Sequence, residues 1–396
     1  MSLNYKSIFS IAFLFILSTG LPNSLSEKSK ISLLTCDEGT EIYTLFGHSA
    51  IRVYDPENGV DDVYNWGMFS FSESEFEFGY DFAKGRLKYF LGKQKFQNFI
   101  YEYLFYKRGV REQVLNLNQA QKENLYSALQ ENYLPKNRAY QYDFFYDNCS
   151  SRIRDIITSS IGENLQLAIH EDDNKYSFRQ LIDIRLKYTP WLDLGIDLVL
   201  GDKIDTKASN FHLMFLPYYM EMILDNSFIK DENGKNQPLI LTKSILLLSE
   251  QELNEAPTKT ANYFWIVLIF TLIVGVINNK WLNNFWFGTL LFTVTLLSVV
   301  LVFMWIGTDH QATKENLNLL WASPLLLISF TSLFSKKLTI KLRLFYLVMT
   351  VLFFIFILFW FIFPQEFHTS IRPLILALTL THYFLFNKSK KLSKQV

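Results

Sequence analysis

The C-terminal third of this chain is dominated by Leu, Ile, Val, Phe and Trp, gathered into five apolar stretches at about 262–278, 284–306, 319–335, 343–363 and 371–387. A helix needs about 20 predominantly apolar residues to cross the hydrocarbon core of a bilayer, and each stretch approaches or exceeds that length, the last one marginally. Lipid offers no partner to a backbone amide, so segments of this kind are expected to be helices. Residues 261–396 therefore read as an all-α bundle of five transmembrane helices.

Basic residues orient the bundle. The segment Ser335 to Arg343 holds Lys336, Lys337, Lys341 and Arg343, the tail holds Lys388, Lys390, Lys391 and Lys394, and the first short loop holds Lys280. If the spans alternate, all three clusters fall on one side, which the positive-inside rule makes the cytoplasm. The N-terminus gives the same answer independently. Met1 to Gly20 has one early lysine, Lys6, and an apolar core from Ile8 to Leu17, the pattern of a signal sequence. The expected organisation is a signal sequence at 1–26, a periplasmic domain at 27–248, a polar linker at 249–260 and the membrane domain at 261–396, with the C-terminus cytoplasmic.

Composition narrows the chemistry. Lys and Arg number 38, as do Asp and Glu, so zero net charge gives no case for nucleic acid as a partner. There is no Gly-rich phosphate loop and no Cys/His spacing of a metal site. Two cysteines occur, Cys36 and Cys149. In an exported chain a disulfide between them is the simplest account, and it would suit a membrane receptor that is not an enzyme.

The surroundings of Cys149 point elsewhere. Tyr146-Asp147-Asn148-Cys149-Ser150-Ser151-Arg152 is followed by Ile153, Ile156 and Ile157 at helical spacing, which puts Cys149 on the first turn of a helix. There the unpaired amides and the macrodipole favour a thiolate. Upstream, Phe46-Gly47-His48-Ser49-Ala50-Ile51-Arg52-Val53 lies in a stretch from Ile42 to Tyr54 that reads as a strand, paired through the Asp55–Gly59 turn with another from Asp62 to Phe71. Asn118 with Gln121 resembles a capping box for a helix ending before Pro135. Trp191 to Leu200 reads as an amphipathic helix that packs on a core or lies on the bilayer.

A thiol and an imidazole are the parts of a cysteine acyl-transfer site: the imidazole deprotonates the thiol, and a third polar group orients the imidazole. Asn65 is the first choice for that third group, because Gly47-His48 can pair across a hairpin with Asn65-Trp66-Gly67; Asp62 is the second. Ser150 and Ser151 read as caps. Arg52 and Arg152 suit a phosphate, although surface salt bridges account for them equally well. The loop Gly307 to Asn318 falls on the outer side, and its Asp309 and His310 are candidates for substrate binding against the simpler reading of a solvated loop. His170, His212 and His368 belong to no constellation.

The order of histidine on an early strand and Asn-Cys at a later helix start resembles the circularly permuted papain-like fold of lecithin-retinol acyltransferase and permuted NlpC/P60 proteins. More closely, Leu33-Leu34-Thr35-Cys36, Phe46 to Val53, Val63-Tyr64-Asn65-Trp66-Gly67, Asp147 to Arg152, and Thr308-Asp309-His310 with Asn316, Asn318, Leu319, Leu320 and Trp321 are similar to the Lnb-type lipoprotein N-acyltransferases. The likeness runs from near Ser32 to the last membrane helix.

It implies an α+β permuted papain-like periplasmic domain, with Cys149 as nucleophile and His48 as its base. It also implies transfer of an acyl chain from a membrane phospholipid to the α-amine of a diacylglyceryl-cysteine lipoprotein, without metal or organic cofactor. The rival enzyme reading is a membrane-anchored cysteine peptidase or amidase acting on cell wall, with water as the acceptor.

Overall fold

The computed structural model describes residues 24–69, 80–81, 83–251, 258–335 and 339–392. Residues 1–23 of the expected signal sequence, 252–257 of the linker, Lys336, Lys337 and Lys394 lie outside them. Contacts divide the chain into two units. One comprises Met1–Ser70, Lys88–His170 and His212–Gln251; the other comprises Phe71–Leu87, Glu171–Phe211 and Glu252–Val396. The expected domain at 27–248 is thus shared between the two.

The first unit is organised on a seven-stranded sheet in which every pairing is antiparallel. Its order is β10 (Ile240–Leu247), β5 (Val110–Leu115), β1 (Lys30–Cys36), β2 (His48–Asp55), β3 (Val60–Phe69), β4 (Lys88–Lys95) and β6 (Ala139–Gln141). The central strands β1, β2 and β3 are rich in Ile, Leu and Val and are buried along most of their length, as strands covered on both faces must be. Side chains alternate across the sheet. Ala50, with Leu34 and Cys36 of β1, packs on helix α1 (Phe96–Phe105) through Phe99 and Tyr103. Ser49 faces the other way, to Ser150 of helix α3 (Cys149–Ile161). Between them in sequence, helix α2 (Gln119–Tyr133) opens with the expected Asn118–Gln121 capping box and closes before Pro135.

One sequence expectation shifts here. The first strand of the hairpin starts at His48 rather than Ile42, because Ile42–Thr44 forms a 3-10 turn and Gly47 takes a φ of +76°. A Cβ at Gly47 would stand 2.8 Å from the Cys36 carbonyl, so only glycine fits the bend. The hairpin turn itself is as expected: Asp55 Oδ1 accepts from the Glu57 and Asn58 amides, and Gly59 takes a φ of +66°.

The second unit contains, among the described residues, four helices long and apolar enough to cross a membrane: Thr260–Ile277, Lys280–Ile306, Ile340–Leu358 and Thr369–Lys388. Their outward surfaces are themselves apolar, with Ile266, Phe285 and Leu352 all exposed, as hydrocarbon surroundings require. The expectation of five continuous helices is corrected at 319–335. That stretch is a 3-10 turn, Leu317–Leu320, and a seven-residue helix, Leu326–Ser332. Pro324 is the reason: it has no amide to donate and it pushes the preceding residue out of the helical region. The segment nevertheless runs the length of helix Lys280–Ile306. Thr313 donates to the Met304 carbonyl at 2.8 Å, Phe330 meets Phe292 at 5.4 Å, and Asn284 reaches the Leu333 carbonyl at 3.4 Å.

Helix Pro190–Val199 packs into the core of these helices through Leu194, with Leu198 and Val199 against it. Its end is held by Arg179, almost fully buried, which pairs with Asp197 and Asp205 at 2.8 Å each and donates to the Gly201 carbonyl at 2.8 Å. Removing one partner of a buried ionic network leaves an uncompensated charge, at a cost of about 3–5 kcal/mol. Arg179→Ala is therefore expected to lower the thermal midpoint in detergent markedly. An unchanged midpoint would show that the Arg179 network is not holding this segment.

Candidate active site

Helix α3 owes its start to Asn148. The Asn148 side chain accepts from the Ser151 amide at 2.9 Å, and the Ser151 hydroxyl accepts from the Asn148 amide at 2.8 Å, a reciprocal capping box. Asn148 Nδ2 also donates to the carbonyls of Phe144 and Phe215, at 2.7 and 2.9 Å, tying the helix start to two loops. Ile153, Ile157 and Ile161 bury the inner face. Cys149 consequently occupies the first helical position, where the amides of Cys149 and Ser150 have no acceptor within the helix.

The imidazole of His48 stands beside the Cys149 thiol, close enough for each to shift the pKa of the other. His48 Nε2 lies 2.5 Å from Asn65 Oδ1. An amide oxygen only accepts, so Nε2 is the donor in this bond. Asn65, the first choice, is the residue brought to the imidazole. Asp62 is held instead by Lys95 at 2.7 Å and Lys93 at 3.4 Å.

A bulge makes room for the constellation. Pairing between β3 and β4 slips between Asn65 and Met68, and Gly67 takes a φ of +93°, where an added Cβ would stand 3.8 Å from the His48 ring. Bulges re-aim side chains in this way.

Burial raises the pKa of the Cys149 thiol. The His48 charge, the His48 hydrogen bond, the Ser49 amide and the Ser150 hydroxyl more than offset it and hold the thiol below its ordinary value. Burial lowers the His48 pKa, and the Cys149 thiolate charge with the hydrogen bonds the imidazole donates to Cys149 and Asn65 raises it above the ordinary imidazole value. Both directions favour a thiolate–imidazolium pair. Such a thiolate, set beside helix-start amides, can attack a carbonyl carbon and stabilise the oxyanion that results.

The remaining sequence candidates fall elsewhere. Arg52 is four residues along β2 from His48, paired with Asp61 at 2.7 Å and Glu112 at 3.2 Å and stacked 3.4 Å over Phe96. The structure does not bring it to the thiol. Arg152, one turn beyond Cys149, makes a two-point pair with Asp147 and lies 4.0 Å over the Tyr140 ring. In the second unit, Asp309 pairs with Arg86 at 2.6 Å and His310 lies against Gly85. Three groups near the thiol were not singled out from sequence: the Ser49 amide, Tyr140 and Tyr142. The aromatic run Tyr140 to Tyr146 was their signal. Among the described residues no three His, Cys, Asp or Glu side chains gather as a metal site.

Both cysteines are free thiols, so the disulfide reading fails. Cys36 is opposite His48 in the β1–β2 register, but its side chain is buried and burial pushes its pKa up to about 12. Alkylation of the native protein with iodoacetamide is expected to modify Cys149 alone, and Cys36 only after denaturation. The Cys149 reaction should persist below the ordinary thiol pKa of about 8.5, declining only as pH falls through the lowered thiol value. His48→Ala should return the profile upward, and an unshifted profile would separate the imidazole from the thiol. Asn65→Ala misplaces the ring, and an error of about 1 Å costs on the order of a hundredfold in turnover.

Residues 23–185 match the family model of the Lnb N-terminal periplasmic domain, and residues 250–392 match that of the Lnb transmembrane domain. No curated protein sequence and no solved structure matches the chain. The first match contains His48, Asn65 and Cys149; the second contains all four long apolar helices. Two domains of one family, met in order along one chain, make this a member of the Lnb family, a multi-pass inner-membrane protein with a periplasmic domain.

Proposed function

We propose that the protein is a lipoprotein N-acyltransferase with a Cys149 thioester intermediate. The observation that carries the proposal is the 2.5 Å bond from His48 Nε2 to Asn65 Oδ1, which holds the imidazole beside a thiol at a helix start. Family membership supports the reading, and a membrane-borne catalytic chain suits a donor and an acceptor that are both lipids. In this reading the periplasmic domain is a permuted papain-like fold. The interrupted stretch 317–335 is the fifth membrane crossing, so the C-terminus is cytoplasmic.

The reaction has two halves. The Cys149 thiolate attacks the ester carbonyl of a phospholipid, and the oxyanion is held by the helix-start amides. The C–O bond breaks, His48 gives its proton to the departing alkoxide, and a lysophospholipid leaves. The neutral α-amine of a diacylglyceryl-cysteine then attacks the thioester. His48 takes the amine proton, the C–S bond breaks and the thiolate returns. Asp309, together with its partner Arg86, and His310 would hold a headgroup or the incoming amine by charge-assisted hydrogen bonds; Arg52 and Arg152 are paired with carboxylates of their own domain.

Intact mass after incubation with phospholipid tests this directly. One acyl chain should be added at Cys149, with lysophospholipid released, and Cys149→Ser should abolish both. His310→Ala should lower transfer strongly while Cys149 keeps its reactivity toward iodoacetamide. Absence of an acyl adduct together with cleavage of cell-wall peptides would favour the amidase instead. Topology has its own check: a reporter fused at Val396 should behave as cytoplasmic and one near Gln311 as periplasmic. A periplasmic C-terminus would remove the fifth crossing.

A further inference from the structure

One end of the seven-stranded sheet is unlike the rest of the first unit. Cys36 pairs with His48 on one side and Val110 on the other, and Val110 pairs with Leu247. These four residues form a row across β2, β1, β5 and β10, with the catalytic histidine at one end of it. Beyond that row stand Ile42 and Tyr43 from the 3-10 turn, Leu104, Phe105 and Tyr106 from the end of α1, and Leu248 after β10. All are exposed, with 76% of Tyr43, 69% of Phe105 and 75% of Leu248 accessible. The segments carrying them are fastened together. Arg108 donates twice to the Asp37 carbonyl, at 2.9 and 2.7 Å, and the Asp37 amide donates to the Gly109 carbonyl at 2.9 Å. The Glu250 amide donates to the Lys107 carbonyl at 3.1 Å, and Gln251 Nε2 to the Tyr106 carbonyl at 3.1 Å.

The end of α1 is built to display this rim. The Arg108 amide reaches back to the Tyr103 carbonyl at 2.9 Å and the Lys107 amide to the Leu104 carbonyl at 3.1 Å, a Schellman closure. Lys107 occupies its left-handed position at a φ of +55°, where glycine would fit without strain. A lysine beside exposed Tyr, Phe and Leu is the composition of a membrane interface, with the rings at headgroup depth and the ammonium among phosphates.

We propose that this rim docks on the outer surface of the bilayer, with Tyr43, Leu104, Phe105 and Leu248 in the interface and Lys107 among the phosphates. The occupant is lipid rather than a soluble partner because of where the chain goes next. Gln251 is tied to Tyr106, and only residues 252–259 separate it from the helix Thr260–Ile277. At 3.3–3.6 Å per residue they reach at most about 30 Å, so the rim is leashed to a membrane span. Docking there presents the end of the sheet that carries His48, and with it the Cys149 thiol, to the interface. The surface stands on this geometry whether or not the reaction is acyl transfer.

Spin labels test it in the full-length protein, in vesicles of phosphatidylethanolamine and phosphatidylglycerol. With Cys149→Ser as background and the buried Cys36 left in place, Phe105→Cys or Tyr43→Cys is labelled. Glu57→Cys, in the turn at the far end of β2, serves as the control. The docked rim predicts that labels at 105 and 43 collide with oxygen several-fold more than with a soluble nickel chelate, and that the label at 57 does the reverse. Equal chelate access at 105 and 57 would overturn the proposal. So would shielding of 105 from both reagents, because protein would then cover the rim. Turnover is not measured, so this result is independent of the acyl-transfer test.

Discussion

A single asparagine decides where the reactive sulfur stands. Asn148 closes the first turn of α3 from both sides of a capping box and, with its remaining amide protons, holds the loops at Phe144 and Phe215. A cap of this kind contributes about 1 kcal/mol to a helix, which is modest. Its consequence here is positional: it makes Cys149 the first helical residue, at the positive end of the macrodipole. The buried Ser49–Ser150 bond at 2.9 Å then fixes that helix against β2, the strand that begins with His48. The Cys149 thiol and the His48 imidazole are thus located by the same two elements.

The orientation of the base comes from the sheet. β2 and β3 pair from Asp55 with Val60 to Ile51 with Tyr64, and the β3–β4 register slips between Asn65 and Met68 before pairing resumes. Asn65 is carried to the imidazole there. The result is a half-buried thiol–imidazole pair, in which desolvation opposes each charge and each charge sustains the other. Neither group would keep its shifted pKa without the other, so the site is chemically one unit.

The membrane-spanning unit solves a different problem. Irregular backbone at membrane depth is tolerated only where protein satisfies it. The break before Leu326 is accordingly wrapped in protein: Asn316, Asn318 and Trp321 are buried, Asn318 accepts from the Trp321 indole at 2.9 Å, and the Leu317 amide donates to Gln365 at 2.7 Å. Asn316 donates to the Leu198 carbonyl at 2.8 Å. Segment 171–211 therefore joins the helical unit through polar side chains that sequence periodicity does not reveal.

Local physics was legible in the sequence. The Asn118 and Asn148 caps, the Asp55–Gly59 turn, the helix opening at Cys149 and the long apolar runs each depend on residues within one or two turns of one another. So did the pairing of His48 with the strand bearing Asn65, since a short hairpin leaves few registers. What the sequence left open depended on partners far along the chain. Asp62 and Asn65 were both candidates to orient His48, and Lys93 and Lys95 on β4 claimed Asp62. Arg52 looked available until Glu112 on β5 joined Asp61 in neutralising it. Hydropathy counted 319–335 as one helix because it averages over side chains, whereas Pro324 breaks the backbone and buried asparagines elsewhere make that break affordable. Sequence alone determined which chemistry the chain carries and in what order; only the tertiary structure decided which charges were free to serve it, because neutralising a charge is a contact between distant residues.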